Sequence, residues 1–179
     1  MTSPAVVPER PVVIALGSNL GDRLSALQQA VGLLCAPGSG LACAAVSGVY
    51  ETAPVGGPPQ GDYLNAVLLA VSGLPARDIL ARCQAAEAAL GRVRTERWGP
   101  RTLDADVIAC DAERSDDPDL TLPHPRAHER AFVLAPWLEA DPGAVLPGRG
   151  KVADLLAAAG AGGVRRLEDA SLALPGGGP

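Results

Sequence analysis

The run of residues 97–108, RWGPRTLDADVI, is the feature that most constrains how this chain can fold. Its second half alternates carboxylates with aliphatic side chains, which is typical of a strand that packs on one face only. Successive side chains of a strand point to opposite faces and rise about 3.3 Å per residue, so Asp104 and Asp106 share a face about 6.6 Å apart. The sequence therefore predicts a strand over residues 102–110 whose carboxylate pair faces a cleft or water.

The residues around this strand favour binding of a metal and of phosphate. Two neighbouring carboxylates can hold Mg²⁺, which proteins usually bind through one or two carboxylates together with phosphate oxygens. Arg92, Arg94, Arg97 and Arg101 fall within ten positions just before the pair. Planar guanidinium groups bind phosphate oxygens in pairs. Two simpler interpretations stay open, namely that the carboxylates are the exposed side of an edge strand and that the arginines form a solvated loop.

Hydrophobic periodicity along the rest of the chain predicts one α+β domain. The order strand–helix–strand–strand–helix–strand is that of a ferredoxin-like, split β-α-β core, here followed by extra C-terminal helices. Residues 111–120 are predicted to be an acidic loop, and Pro136 is expected to end or kink the helix that contains it. The predicted strands cover residues 11–18, 42–52, 62–72 and 102–110. The predicted helices are one that Asp22 caps and that ends at residues 37–40, and three over residues 75–91, 126–139 and 152–159.

Length and composition fit a single globular domain. The 179 residues include 47% hydrophobic and 20% charged residues, which is ordinary for such a domain. We expect the domain to cover residues 11–169, and we expect disordered tails at residues 1–10 and 170–179, which are rich in Pro, Gly and small residues. The net charge of −5 argues against nonspecific nucleic-acid binding, which requires a basic surface.

Targeting signals and cysteine usage predict a cytoplasmic protein. We find no basic-then-apolar signal segment and no apolar run near the ~18 residues that a membrane span requires, so no membrane partner is expected. Cys35, Cys43, Cys83 and Cys110 show neither paired metal-ligand spacing nor a Cys-x-x-Cys motif. We expect all four to be reduced thiols.

Five blocks of the chain, in the same order, resemble the 6-hydroxymethyl-7,8-dihydropterin pyrophosphokinase family. A match to the Asp-x-Asp pair alone would be weak evidence, but five ordered blocks that together span about residues 12–158 make a chance resemblance improbable. The blocks are residues 15–22 (ALGSNLGD), 50–56 with 62–67 (YETAPVG, DYLNAV), 91–94 (GRVR), 97–108, and 122–126 with 130–132 (LPHPR, RAF).

This resemblance implies a fold, an activity and cofactors. The fold is a three-layer α/β/α sandwich. The activity is transfer of pyrophosphate from ATP to 6-hydroxymethyl-7,8-dihydropterin, in which the pterin oxygen attacks the β-phosphorus in line and AMP leaves. Two Mg²⁺ ions assist, ATP is the co-substrate, and the protein is monomeric. Residues 53–61 and 91–99, both rich in glycine, are the expected lids.

The resemblance also implies site residues. The expected catalytic residues are Arg92, Arg101, Asp104 and Asp106, and the two aspartates are the expected metal ligands. The expected pterin-binding residues are Thr52, Val55, Tyr63, Asn65, Trp98 and Phe132. ATP binding falls to Gln84, Glu87, Arg92, Arg94, Arg101, Val107, Thr121, His124, Pro125 and Arg130. The chain has no Gly-x-x-x-x-Gly-Lys-Ser/Thr loop, so it cannot hold ATP in the P-loop manner.

Simpler structural interpretations and other functions remain open. The aromatic residues could be core residues without a ligand, and Gln84 and Glu87 could be the solvated side of a helix. A ferredoxin-like nucleic-acid module would use the same arginines on phosphates, although the acidic charge and 3% aromatic content oppose it. A catalytically silent regulator with a retained nucleotide site would carry the same motifs. AMP release that depends on the pterin distinguishes the enzyme from both.

Overall fold

The computed structural model describes residues 8–91 and 100–176, and these form a sheet with helices on both faces. The strands are β1 (Arg10–Ser18), β2 (Ala42–Val46), β3 (Val49–Thr52), β4 (Tyr63–Ser72), β5 (Asp104–Cys110), β6 (Ser115–Asp117), β7 (Leu120–Leu122), β8 (Val145–Leu146), β9 (Gly150–Lys151) and β10 (Val164–Leu167). The helices are α1 (Arg23–Leu34), α2 (Ala76–Ala89), α3 (Ala131–Ala140) and α4 (Val152–Ala159), with a 3-10 turn at Ala127–Glu129. None of the described helices is long and apolar enough to cross a membrane.

The central sheet is antiparallel and has the strand order β10-β3-β4-β1-β5, with β2 also paired to β4. Helices α1 and α2 pack on one face around Ile14, Leu27 and Ile79. Helices α3 and α4 cover the other face around Val67 and Trp137. The prediction of a ferredoxin-like core in a three-layer α/β/α sandwich is confirmed.

Helix α1 begins where the sequence predicts because of a local cap. The Asp22 carboxylate accepts a hydrogen bond from the Ser25 backbone N–H at 3.0 Å, which satisfies one of the unpaired donors at a helix start. The buried residues Leu27, Val31 and Leu34 follow at helical spacing. Helix α3 does not end at Pro136 but continues through it to Ala140. Pro136 is buried within this helix.

The single strand predicted over residues 42–52 is two strands, β2 and β3. Ser47 ends the first by pairing with Val67 through its backbone N–H and through its hydroxyl, both at 2.9 Å. A side chain at Gly48 would place its Cβ 2.9 Å from atoms of Arg166 and Glu139. The break therefore lies at a position where side chains from distant parts of the chain leave room for glycine only.

Three further segments differ from the sequence-based expectations. The acidic segment 111–120 is not all loop, because β6 and β7 pair as a hairpin there. Strand β10, which no pattern indicated, extends the sheet beside β3. In the described part of the C-terminal segment, the Gln28 side chain exchanges two 2.9 Å hydrogen bonds with the Ala173 backbone, and Leu172 and Leu174 pack against the core. Arg10, which was expected in the other tail, is the first residue of β1.

The expectation of four reduced cysteines is wrong for one pair. The end of α1 and the start of β2 bring the Cα atoms of Cys35 and Cys43 to 5.6 Å, and the two residues form a disulfide. Cys83 and Cys110 are free and buried. Burial raises the pKa of the Cys110 thiol to about 11 and raises that of Cys83 as well. These two residues therefore act as small core residues.

Candidate active site

A cleft of about 660 Å³ opens at one end of the sheet. Its floor comes from the ends of β1, β3, β4 and β5. Its walls come from the segment after β3, the segment around the 3-10 turn and the start of α3, and the loop that follows α4. Ten residues predicted to form the site line this cleft: Thr52, Val55, Tyr63, Asn65, Arg101, Asp104, Asp106, His124, Arg130 and Phe132.

The carboxylate pair lies on the cleft side of β5. Asp104 and Asp106 line the cleft, whereas Leu103, Ala105 and Val107 are buried in the core under α1 and α2. This is the alternation that the sequence predicted. Burial, and then the charge of Asp104, raise the pKa of Asp106 to about 7. A nearby cation strongly stabilises the ionised form of a carboxylate that is buried beside another negative charge.

Arginine lies close to the carboxylates. The Nη1 of Arg101 donates to Oδ2 of Asp104 at 2.9 Å. Arg130 lines the same cleft, and its charge opposes the rise in the pKa of Asp106. The Arg130 guanidinium also lies 5.6 Å from the centre of the Phe132 ring, within the range of a cation–π contact.

His124 is placed to donate a hydrogen bond as a neutral ring. Its backbone N–H donates to the Ile108 carbonyl at 2.8 Å, which fixes the loop against β5. Its Nδ1 accepts from the Arg126 backbone N–H at 3.2 Å, so the hydrogen of the neutral imidazole is on Nε2. Burial, and then Arg130, lower the pKa of His124 to about 4. The ring is therefore neutral at pH 7.

A polar pocket lies beside the carboxylates along one row of the sheet. Gly17 of β1 is paired with Asp104 on one side and with Asn65 of β4 on the other. Neighbouring strands are about 4.8 Å apart, so the Asp104 and Asn65 backbones are about 10 Å apart. A Cβ on Gly17 would lie 3.5 Å from Asn65 Oδ1 and 3.6 Å from a Tyr63 ring carbon. Because Gly17 has no side chain, the space between Asp104 and Asn65 stays open.

Hydrogen bonds within the pocket fix the orientation of Asn65. Its Nδ2 donates to Thr52 Oγ1 at 2.9 Å and to the Tyr50 carbonyl at 3.3 Å. The side-chain oxygen is thereby directed toward Gly17 and the cleft. Tyr63 is paired with Thr52 across the strands, and Val55, which is 71% exposed, forms part of the outer wall. The pocket offers a fixed polar edge and aromatic surface, which suit a flat heterocycle.

Five of the residues predicted to bind ATP do not line the cleft. Gln84 is exposed on α2, Val107 is in the core, and the Thr121 hydroxyl donates to the Asp117 carbonyl at 3.0 Å. Pro125 is absent from the lining although both of its neighbours are present. Glu87 is buried, and its Oε1 accepts from the Ala105 backbone N–H at 2.9 Å. Glu87 is therefore neither solvated nor directed into the cleft.

Four residues of the predicted arginine-rich loop lie outside the described ranges. They are Arg92, Arg94, Arg97 and Trp98. Their roles stay predictions. The same holds for the proposed lid over residues 91–99, of which only Gly91 is described.

Sequence reasoning missed several residues of the cleft wall. Gln60, Arg126 and Glu129 line the wall, as does the loop after α4, which includes Gly160, Gly162 and Gly163, and Gly17 lines the floor. Gly17 and Arg126 lie within blocks that the resemblance had marked, so position alone could have suggested them. The loop after α4 had no such signal.

The donor set fits Mg²⁺ bound together with a phosphorylated substrate. Within the described residues, no group of three or more His, Cys, Asp or Glu side chains could hold a metal alone. Asp104 and Asp106 supply hard oxygen donors at one side of an open cleft. Mg²⁺ commonly takes one or two carboxylates and completes its shell with substrate phosphates and water.

Comparison with known proteins gives one consistent result. The model of the 7,8-dihydro-6-hydroxymethylpterin-pyrophosphokinase (HPPK) family matches residues 13–142. A 2-amino-4-hydroxy-6-hydroxymethyldihydropteridine pyrophosphokinase from Mycobacterium tuberculosis is 48% identical over 145 residues, which cover 75% of this chain and 74% of the relative. The enzyme of the same name from Bacillus subtilis is 44% identical over 70% of this chain and 75% of the relative. That from Methylorubrum extorquens is 41% identical, with 87% and 97% covered.

Solved structures share the fold. The HPPK-DHPS protein of Plasmodium falciparum, wild type with pterin and p-hydroxybenzoate, aligns with a TM-score of 0.62 at 12% identity, over 84% of this chain and 42% of that one. An HPPK-DHPS in complex with substrates aligns with a TM-score of 0.64 at 11% identity, over 84% and 43%. This chain therefore spans less than half of each of those chains.

Proposed function

This chain belongs to the 7,8-dihydro-6-hydroxymethylpterin-pyrophosphokinase family, a pyrophosphokinase family of folate biosynthesis, and from that membership we propose its reaction and mechanism. It transfers the β,γ-pyrophosphoryl group of ATP to the hydroxymethyl oxygen of 6-hydroxymethyl-7,8-dihydropterin and releases AMP. It acts as a monomer in the cytoplasm.

The observation that carries this proposal is the row Asp104–Gly17–Asn65 across the sheet. The reaction must bring a pterin alcohol and a triphosphate into contact. In this row the carboxylate of Asp104 lies on one side and the polar pocket around Asn65 lies on the other. Only Gly17, which has no side chain, stands between them. A span of about 10 Å accommodates a bicyclic ring whose hydroxymethyl group points at the phosphates.

The pocket around Asn65, which we call the pterin end of the cleft, orients the ring and excludes water from it. Asn65 presents its amide oxygen to the polar edge of the heterocycle, because its Nδ2 is already bonded to Thr52 at 2.9 Å. Phe132 and Tyr63 supply apolar surface at the cleft, and Trp98 is proposed to cover the other face of the ring. Thr52 and Val55 provide backbone groups for the remaining edge.

The other end of the cleft, around Asp104 and Asp106, is the phosphate end. It supplies positive charge and hydrogen-bond donors. Arg101 and Arg130 bind triphosphate oxygens, and neutral His124 donates from Nε2 to one of them. Arg92 and Arg94 are proposed to join them from the preceding loop. Two Mg²⁺ ions held by Asp104 and Asp106 would neutralise the triphosphate and polarise its phosphoryl oxygens.

Transfer occurs by direct displacement. The hydroxymethyl oxygen forms a bond to the β-phosphorus while the bond from that phosphorus to the α-phosphate oxygen breaks. The pterin hydroxyl loses its proton to solvent, and AMP carries away the electron pair of the broken bond. Arg101 and Arg92 stabilise the charge that develops on the leaving oxygen. The protein contributes mainly positioning and charge, as in other phosphoryl transfers.

A product assay tests the proposal. Purified protein with MgATP should release AMP when 6-hydroxymethyl-7,8-dihydropterin is added, and should release none without it. Release of ADP, or release of AMP that does not depend on the pterin, would contradict the assignment. Asp116→Asn, at an exposed residue of β6, is a matched control for the aspartate variants.

A further inference from the structure

We propose that Asn19 is a positioning residue that holds the pterin-end loop, residues 53–61, and Arg101 in one fixed arrangement. This inference rests on the proposed function, because it assigns the loop to the pterin end and Arg101 to the phosphate end. Asn19 does not line the cleft. It follows directly after β1 and is 7% exposed.

One half of the Asn19 contacts holds Arg101. The backbone N–H of Asn19 donates to the Arg101 carbonyl at 3.1 Å, and the side-chain oxygen accepts from the Arg101 backbone N–H at 2.8 Å. Both backbone groups of Arg101 are thus bonded to a single residue. This fixes the segment that leads into β5, and from it the Arg101 guanidinium reaches Asp104 at 2.9 Å.

The other half holds the pterin-end loop. The Asn19 Nδ2 donates to Gln60 Oε1 at 2.8 Å and to the Gly61 carbonyl at 3.1 Å. Gln60 lines the cleft. Gly61 lies two residues before Tyr63, the first residue of β4. Both amide hydrogens therefore fix the point where the loop returns to the sheet.

The side-chain contacts of the two halves use different atoms, Oδ1 for Arg101 and Nδ2 for the loop, so substitutions can separate them. Asp in place of Asn keeps an oxygen acceptor for the Arg101 N–H but cannot donate to Gln60 or Gly61. Ala removes every side-chain hydrogen bond of both halves and keeps only the backbone N–H on the Arg101 carbonyl. A residue with a purely structural role would lower stability with either change, without separating pterin affinity from turnover.

The experiment compares Asn19→Asp and Asn19→Ala with wild type. The affinity for 6-hydroxymethyl-7,8-dihydropterin is measured by titration in the presence of Mg²⁺ and a nonhydrolysable ATP analogue, and kcat is measured at saturating substrates. Asn19→Asp is expected to raise the pterin Kd at least tenfold with kcat within threefold of wild type. Asn19→Ala is expected to raise the Kd and also to lower kcat at least tenfold. A tenfold change is about 1.4 kcal/mol, comparable to the net contribution of one or two hydrogen bonds.

Gln28→Ala is the matched control. Gln28 also uses both ends of an amide to hold a distant segment, the backbone of Ala173, but far from the cleft. It should lower Tm without changing pterin Kd or kcat. Gln60→Ala, which removes one of the two loop acceptors, should raise the pterin Kd about threefold.

Several outcomes would overturn the inference. Wild-type pterin affinity in Asn19→Asp, equal loss of kcat in both Asn19 variants, or a fall in Tm alone would each do so. If Asn19→Ala does not fold, Asn19→Asp and Gln60→Ala decide. If wild type releases no AMP, the proposed function fails, while the pterin titrations still test the loop contact. If wild type does not bind the pterin at all, both proposals fail.

Discussion

Replacing Asp106 by Asn should stabilise the metal-free protein while it abolishes turnover. Burial and the neighbouring Asp104 raise the pKa of Asp106 to about 7, whereas an unperturbed Asp has a pKa of about 3.9. The folded carboxyl therefore keeps its proton at pH values where the unfolded one has lost it. Stability falls as pH rises from about 4 to about 7, and the cost is fully present at pH 8.

The magnitude follows from the difference of about 3 pKa units. At 1.36 kcal/mol per unit this gives about 4 kcal/mol as an upper limit at pH 8. Asp106 is only partly buried and lines an open cleft, so water screens part of the cost and about 2 kcal/mol is the working value. For a chain of this size that corresponds to a rise in Tm of about 4–8 °C for Asp106→Asn.

Thermal unfolding in EDTA at pH 8 and at pH 4.5 measures this effect. The gain in Tm should be present at pH 8 and mostly lost at pH 4.5, and Asp116→Asn should show no such pH dependence. Addition of Mg²⁺ with an ATP analogue should stabilise wild type and not Asp106→Asn. A lower Tm for Asp106→Asn at pH 8, or a gain of equal size at both pH values, would refute the reasoning.

Three other predictions concern the Arg101 guanidinium, the Trp98 ring and the disulfide between Cys35 and Cys43. Arg101→Lys keeps the charge but loses the planar, bidentate guanidinium, so kcat should fall by about 10²–10³ while the Kd for MgATP changes little. Single-turnover kinetics at saturating ligands and a separate MgATP titration check this, and a weaker MgATP affinity with an unchanged rate would contradict it. Trp98→Ala should raise the pterin Kd by about tenfold and leave MgATP affinity unchanged; separate titrations that show equal weakening would mean that Trp98 only packs its loop. Cys35→Ser should cost about 2.5 kcal/mol under oxidising conditions, as expected for a sequence separation of 8; equal Tm values for wild type and variant without reductant would show that the disulfide does not form.

The carboxylate strand could be predicted from sequence because its signal is local. Alternation alone separates Asp104 and Asp106 from the aliphatic residues between them, and nothing distant overrides it. The Asp22 cap and α1 are local in the same sense. The pocket around Asn65 was predicted from the resemblance, since spacing alone does not distinguish a ligand-binding Asn from a structural one.

The features that sequence missed depend on contacts between distant segments. The break before β3 lies at Gly48, beside the side chains of Arg166 and Glu139, and β10 forms by pairing with β3. Glu87 could not be placed until the orientation of α2 was known. The helix turns this carboxylate under β5, where it meets the outward N–H of Ala105 at 2.9 Å.

The fate of labelled phosphate tests the central claim most directly. Wild type is incubated with Mg²⁺, 6-hydroxymethyl-7,8-dihydropterin and ATP labelled at either the α- or the γ-phosphorus, beside Asp104→Ala as a folded control. The account predicts that the γ label moves to the pterin product, that the α label stays in AMP, and that Asp104→Ala forms neither product. Appearance of the α label in ADP, or normal transfer by Asp104→Ala, would contradict it.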